Sequence, residues 1–486
     1  MYQLRYRLTG ELTRNPFKGK GARPPVQSNG IGAAESYLAT FTFLNQSYDF
    51  GTVEGIDWNY AGYGKLWTYN LNYFEFLRAP SMTLAEGEAL IADWVAKSTD
   101  HQDGWEPYPL SLRIVSWTLF YQERQTAPPD WVKHSLNQQH TTLAGKLEYH
   151  LGGNHLLENA IALAFGPYRN DALLLGQLNH QYLADGAHYE LSVMYHLILL
   201  DRLLDLYQYL PHGDALCEPL QASLDKQLAW AAAMIADNGQ YPHFNDSTDG
   251  VAPPWPQIAT RATELKLSLE KGQLSACGYR RWDFGAKTHL WVDVAAIGAT
   301  EIPGHAHADT LTFCLTENGK PVIVDTSIST YEKNHRRAYE RGTAGHNTLV
   351  PSGGGNSSDV WGGFRVGRRA RTIIYRDEPT VIDAGHDGWS AEHRRTFTRA
   401  SHGFSITDRY PGSATVFFHL AEGVEVDLTG TGAIVDGCTI TWQGGEARLE
   451  DYQLATGFNR LVPAVRIVLT FAGRLDCRFA FTDQTV

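Results

Sequence analysis

The apolar periodicity of this chain changes once, and that change limits the folds it can adopt. From about residue 83 to 236, apolar residues recur at three- and four-residue intervals, as in Leu84, Leu90, Ile91, Trp94 and Val95. That spacing lines one face of a helix. Similar stretches follow at 111–123, 141–150, 154–165, 172–184, 188–210 and 219–235, separated by short breaks such as Pro128-Pro129 and Pro211-His212-Gly213. Many helices in series with short connections pack as antiparallel pairs, in a bundle or a closed toroid. After about residue 280 the period becomes two. Thr310–Leu315, Val322–Asp325, Arg371–Tyr375, Val416–Leu420, Ala433–Trp442 and Val465–Phe471 read as strands, with Asp436-Gly437 as a hairpin turn. The Pro-rich stretch Asp237–Cys277 between the two regimes reads as a linker. The expectation is an α+β multidomain chain: a loop-rich lead-in over 1–55, a helical domain over 56–280 and an antiparallel β domain over 281–486.

With 486 residues, 43% hydrophobic and 19% charged, the chain has ample material for two or three cores. Its net charge of −12 excludes the basic excess that nucleic acid binding needs, so no nucleic acid partner is expected. Cations do cluster locally, at Lys333/Arg336/Arg337/Arg341, Arg365/Arg368/Arg369/Arg371 and Arg394/Arg395. Such patches suit an anionic substrate or a solvated surface. The five Cys are scattered without paired spacing and read as free buried thiols. No signal peptide and no membrane span is visible. The chain as written is expected in the cytoplasm, or in the periplasm if the native start differs. Oligomeric state is not legible.

Four short motifs carry chemistry. In Gly304-His305-Ala306-His307-Ala308-Asp309 the flanking alternation reads as a strand, which would put both imidazoles on one face. Metal binding, proton transfer and two half-exposed sheet-end histidines all fit. In Gly152-Gly153-Asn154-His155, Asn154 reads as a helix N-cap or as a carboxylate holder at a helix mouth. The stretch from Asp185-Gly186 to Tyr195-His196 puts Tyr195 inside a helix, as a buried phenol or a proton donor. Arg341 to Thr348, with His346, follows Asp325 at a strand end; His307, Asp325 and His346 are a set suited to zinc. Upstream, Trp67, Asn70 and Asn72 interleave an indole with amides, which fits sugar contact or a helix seam.

Taken in chain order, as Asn154–Asn159, Asp185–His196, Gly304–Asp309 and Arg341–Thr348, these four motifs resemble the heparinase II/III-like polysaccharide lyases, and the resemblance runs from about Ile56 to His419. It implies an N-terminal (α/α) toroid followed by a C-terminal antiparallel β-sandwich domain, with the substrate cleft between them. It implies an acidic, uronate-containing polysaccharide as substrate and β-elimination as reaction. By the same resemblance Asn154 neutralises the uronate carboxylate, with His155 beside it. Tyr195, preferred to Tyr189 for its Met194-Tyr195-His196 setting, protonates the leaving oxygen. His305 is carboxylate partner or base. His307, Asp325 and His346 hold a structural divalent metal, zinc foremost. Trp67, Asn70, Asn72, Glu190 and Arg341 are the expected substrate contacts. A glycoside hydrolase built on Asp185, Glu190 and Asp246, a metal-dependent hydrolase and an inactive glycan-binding protein are the other readings.

Overall fold

The computed structural model describes residues 38–100 and 102–481. The chain divides into two compact units. One comprises residues up to His180 together with Arg202–Gln221; the other comprises Gln181–Asp201 and everything from Ala222 onward. The described part of the expected lead-in is a hairpin, β1 (Leu38–Phe43) and β2 (Gln46–Thr52); residues 1–37 lie outside the described residues.

The helices follow the 3.6 periodicity: α1 (Lys65–Tyr73), α2 (Leu84–Lys97), α3 (Pro107–Glu123), α4 (Asp130–Ala144), α5 (Gly153–Ala164), α6 (Asp171–Gln181), α7 (Val193–Tyr209), α8 (Cys217–Met234) and α9 (Trp255–Glu264). In the first unit α3 is buried on nearly all sides, against α1, α4 and α5. Its Arg113 is fully buried, donating to Gln139 Oε1 at 2.9 Å and to the carbonyls of Gly104 and Asn72, with its guanidinium 3.9 Å from the Trp94 ring. Carbonyl oxygens take Nε and Nη1 and a ring face covers the guanidinium in place of a carboxylate, while Nη2 is buried without a hydrogen-bond partner. The expected helix at 141–150 is displaced: α4 ends at Ala144, and residues 145–152 turn into α5.

The second unit carries two antiparallel sheets. One has the order β3 (Tyr279–Asp283), β4 (His289–Asp293), β5 (Phe313–Glu317), β6 (Lys320–Ile323). The other runs β10 (Thr372–Glu378), β11 (Val381–His386), β12 (His393–Ala400), β13 (Gly403–His419), β17 (Arg460–Phe481), β16 (Cys438–Gly457), β15 (Gly432–Val435), β14 (Val426–Thr429), with β7 (Leu349–Pro351) also on β13. A two-stranded hairpin, β8 (Val360–Trp361) and β9 (Arg365–Val366), stands apart. Trp282, Leu290, Val292, Phe313, Leu315 and Ile323 of the small sheet share one core with Ile406, Val416, Phe418, Leu469 and Phe479 of the large one. Two sheets closing on a common apolar layer make a sandwich. Asp436 and Gly437, both at positive φ, form the expected turn between β15 and β16.

Two expectations are corrected here. The stretch Asp237–Cys277 is no linker: it contains α9, and Asn245, Asp246, Ser247 and Thr248 are all buried. The Gly304–Asp309 segment is not a strand but irregular backbone between β4 and β5. Of the five Cys, all free, Cys217 is half-buried and the other four are buried. No helix among the described residues is long and apolar enough to cross a membrane.

Candidate active site

Residues 181–201 belong to the unit that carries the sheets, so Tyr195 and both histidines of the His-x-His segment sit in one unit. Tyr195 lies in the first turn of α7, where Ser192 Oγ accepts its backbone N–H at 3.2 Å. Its ring stacks on His305, with centroids 3.9 Å apart and planes 15° from parallel. Its hydroxyl is 3.0 Å from that of Tyr331. Burial pushes the phenol up; the Tyr331 contact and Arg337 work against this, and Asp246 and Glu190 reinforce it. Tyr195 therefore keeps its proton at neutral pH, the state a general acid needs. Glu190, itself buried, brings Oε2 to 2.6 Å from His305 Nδ1. The contact is an ion-pair approach off the line of a hydrogen bond, because Nδ1 has no aligned acceptor.

The two histidines do not share a space. His305 faces Tyr195 and Glu190, whereas His307 turns to Asp246, whose Oδ1 lies 2.8 Å from His307 Nε2. Asp246 also receives both arms of Arg337, at 2.5 and 2.7 Å, and all three side chains are fully buried. Burial alone would raise the Asp246 carboxyl; Arg337 and His307 overcome it and hold the group well below the usual carboxylate range. Irregular backbone, rather than a strand, is what lets neighbours two apart diverge in this way.

His307 Nδ1, Asp309 Oδ2 and His346 Nε2 are buried without a hydrogen-bond partner. The ligand atoms of these three residues lie within 4.8 Å of one another. Asp325, expected in this set, stands behind it: its Oδ2 is 2.7 Å from His346 Nδ1. Such a contact fixes the imidazole so that its other nitrogen faces the cluster. Three orphaned donors of this type, two imidazole nitrogens and one carboxylate oxygen, fit a divalent metal such as zinc.

In the first unit, Asn154 is not the cap of α5. Gly152, at φ 61°, takes that position and Asn154 sits in the first turn, buried. His155 is oriented by Glu148, Nδ1 to Oε1 3.0 Å, and by the Tyr108 ring at 4.5 Å. Glu148 is in turn held by Asn159.

Three expected substrate contacts are spent on structure. Trp67 is fully buried, its indole N–H on Gln46 O and its ring within a cluster with Phe43, Tyr60 and Tyr63. Asn72 is equally buried and saturated by Trp58 O, Thr68 O and Trp94 Nε1. Arg341, 1% exposed, donates only to carbonyls, of Ala306 and of Trp361, Gly362, Gly363 and Arg365. A guanidinium saturated by backbone holds loops together. Asn70 is half-buried, its amide on Leu66 O. Arg337 and Tyr331 went unnoticed as site residues, and Asp246 was weighed only as a carboxylate of a glycoside hydrolase. Arg337 lay in a cation cluster that fits an anionic substrate or a solvated surface, and the polar run Asn245-Asp246-Ser247-Thr248 carries no sign of its burial in the sequence.

Two family models match the chain: "Heparinase II/III N-terminus" over residues 169–262 and "Heparinase II/III-like, C-terminal" over residues 268–482. No curated protein matches the chain by sequence. Among solved structures, the fold is similar to that of Heparinase III, with a TM-score of 0.66 at 16% identity over 90% of this chain and 81% of that one. It is similar to heparan sulfate lyase HepC from Pedobacter heparinus, with a TM-score of 0.58 at 19% identity over 91% and 80%. It is also similar to the Streptomyces coelicolor A3 chondroitin AC lyase in complex with chondroitin sulphate, with a TM-score of 0.50 at 13% identity over 87% and 75%. The fold is thus a helical toroid followed by an antiparallel β-sandwich domain.

Proposed function

Because the chain belongs to the heparinase II/III-like polysaccharide lyase family, we propose that it cleaves a uronate-containing acidic polysaccharide by β-elimination. Its class is carbon–oxygen lyase acting on polysaccharides. The observation that carries the finer reading is the Tyr195 phenol stacked on His305, its proton retained through burial. The proton α to a uronate carboxylate is weakly acidic, and removing it requires stabilisation of an enolate-like charge. In this reading His305, backed by Glu190, takes the α proton. As the carbon–carbon double bond forms, the bond from the β carbon to the glycosidic oxygen breaks, and Tyr195 donates its proton to that oxygen. Asn154, with His155 beside it, is proposed as a carboxylate-binding amide of the first unit. The test is ultraviolet absorbance during incubation with heparan sulfate, hyaluronan, chondroitin and alginate. An absorbance rise on at least one polymer is expected. A bound polymer that is cut without an unsaturated product overturns the reading in favour of hydrolysis.

The metal belongs to the same proposal. His307, Asp309 and His346 would hold it, with Asp325 orienting His346. Its chemistry there is a crosslink that neutralises the Asp309 carboxylate and ties the His-x-His segment to the residues before β7. Ligand binding to the native state stabilises by about 2.7 kcal/mol at a hundredfold excess over Kd. Exhaustive chelation is therefore expected to lower the melting temperature and zinc to restore it, with one ion per chain by elemental analysis. An unchanged melting temperature and no bound ion would remove the metal.

A further inference from the structure

We infer that the β8–β9 hairpin is a second saccharide-binding element, one that takes an anionic sugar unit beside the unit being cleaved. The inference rests on the proposed function for its ligand class and on separate geometry for its place. Phe364, in the turn of the hairpin, sets its ring edge-on to His305 at 6.0 Å and to Tyr331 at 5.0 Å. The hairpin therefore borders the proton-transferring group directly. Yet Trp361 is 54% exposed and Phe364 43%. Indoles left this open are uncommon unless they meet a partner.

The hairpin is held in place from below. Arg341 donates to the carbonyls of Trp361, Gly362, Gly363 and Arg365. Arg337 adds two hydrogen bonds to Gly363 O, at 3.2 and 3.1 Å. Both guanidinium groups are buried. A surface aromatic on a clamped backbone is a pre-organised contact, because little ordering entropy remains to be lost on binding.

Charge supplies the ligand class. The Arg365 guanidinium lies 4.9 Å from the Trp361 ring centroid, and both residues are exposed. Lys333 approaches the same turn: its side chain is 3.8 Å from where a Cβ on Gly363 would stand. Among the described residues neither Arg365 nor Lys333 has an acidic partner. A flat apolar ring flanked by two uncompensated cations fits a pyranose face bearing a carboxylate or a sulfate.

The test uses the full chain in a Tyr195→Phe background, so that polymer is bound without being consumed. Retardation in gels containing heparan sulfate, chondroitin, hyaluronan or alginate gives the affinity. On the polymer bound best, Trp361→Ala is expected to weaken binding about tenfold. Arg365→Ala is expected to weaken it and to flatten its salt dependence. Melting temperatures should match the parent, because both side chains are exposed. Unchanged affinity in both variants overturns the inference while leaving elimination intact. Loss of affinity in the variants, with no unsaturated product from the Tyr195 enzyme on any polymer, upholds the binding element and removes the lyase reading. Retardation by none of the four polymers overturns the inference as well.

Discussion

Tyr195→Phe is expected to lower the initial rate of unsaturated-product formation by about 10²–10⁴-fold, the usual contribution of a positioned proton donor. Phenylalanine preserves the ring that stacks on His305 at 3.9 Å, so the cost isolates the hydroxyl. What disappears is the proton for the leaving glycosidic oxygen and the contact to Tyr331 at 3.0 Å. An interaction made only as the bond breaks lowers kcat and kcat/KM together. KM should therefore stay near that of the parent enzyme. Initial slopes of ultraviolet absorbance across a substrate series give both constants. A loss below tenfold would take the proton-donor role from Tyr195, and Tyr331→Phe would then be the variant to measure.

The second large effect is on stability. Asp246→Ala leaves the Arg337 guanidinium fully buried, with Gly363 O as its remaining hydrogen-bond acceptor among the described residues, and strips His307 of its acceptor. Removing one partner of a buried ion pair costs about 3–5 kcal/mol, because the remaining charge is stranded in a medium of low polarity. That is a large share of the stability of a typical domain. Denaturant unfolding followed by far-ultraviolet circular dichroism should show the midpoint falling by this amount. Asp246→Asn should fall less, since an amide oxygen still accepts one donor. A change under about 1 kcal/mol for the alanine variant would mean that water or a neighbouring carboxylate reaches Arg337.

Fold class was legible because it follows from periodicity. A switch from 3.6 to 2 survives in the sequence whatever the tertiary context, and the turn at Asp436-Gly437 declares itself by residue type. The pairing of Tyr195 with His305 was legible through motif order, not through spacing, since the two residues in ring contact lie 110 positions apart. Burial was not legible. Trp67 and Asn72 have the residue types of a sugar site, yet a saturated indole and amide serve the core equally well. Arg341 read as a substrate cation because sequence shows a charge and not the carbonyls that surround it. Asp309 precedes β5 and Asp325 follows β6, so the antiparallel pair brings both to one end, and only the backbone path decides which carboxylate faces His307 and which one stands behind His346.

Arg337 and Arg341 hold the β8–β9 turn through its carbonyl oxygens, a grip that is blind to side chains. Every amino acid offers the same carbonyl. Positions 361 and 365 are therefore free to change without loosening the hairpin, and Ala306, the neighbour of His305, is held by the same Arg341. Recognition and bond-breaking are mechanically joined but mutationally separate. A descendant of this chain can move to a differently decorated polymer by substitutions at the hairpin surface, with its proton-transfer machinery untouched.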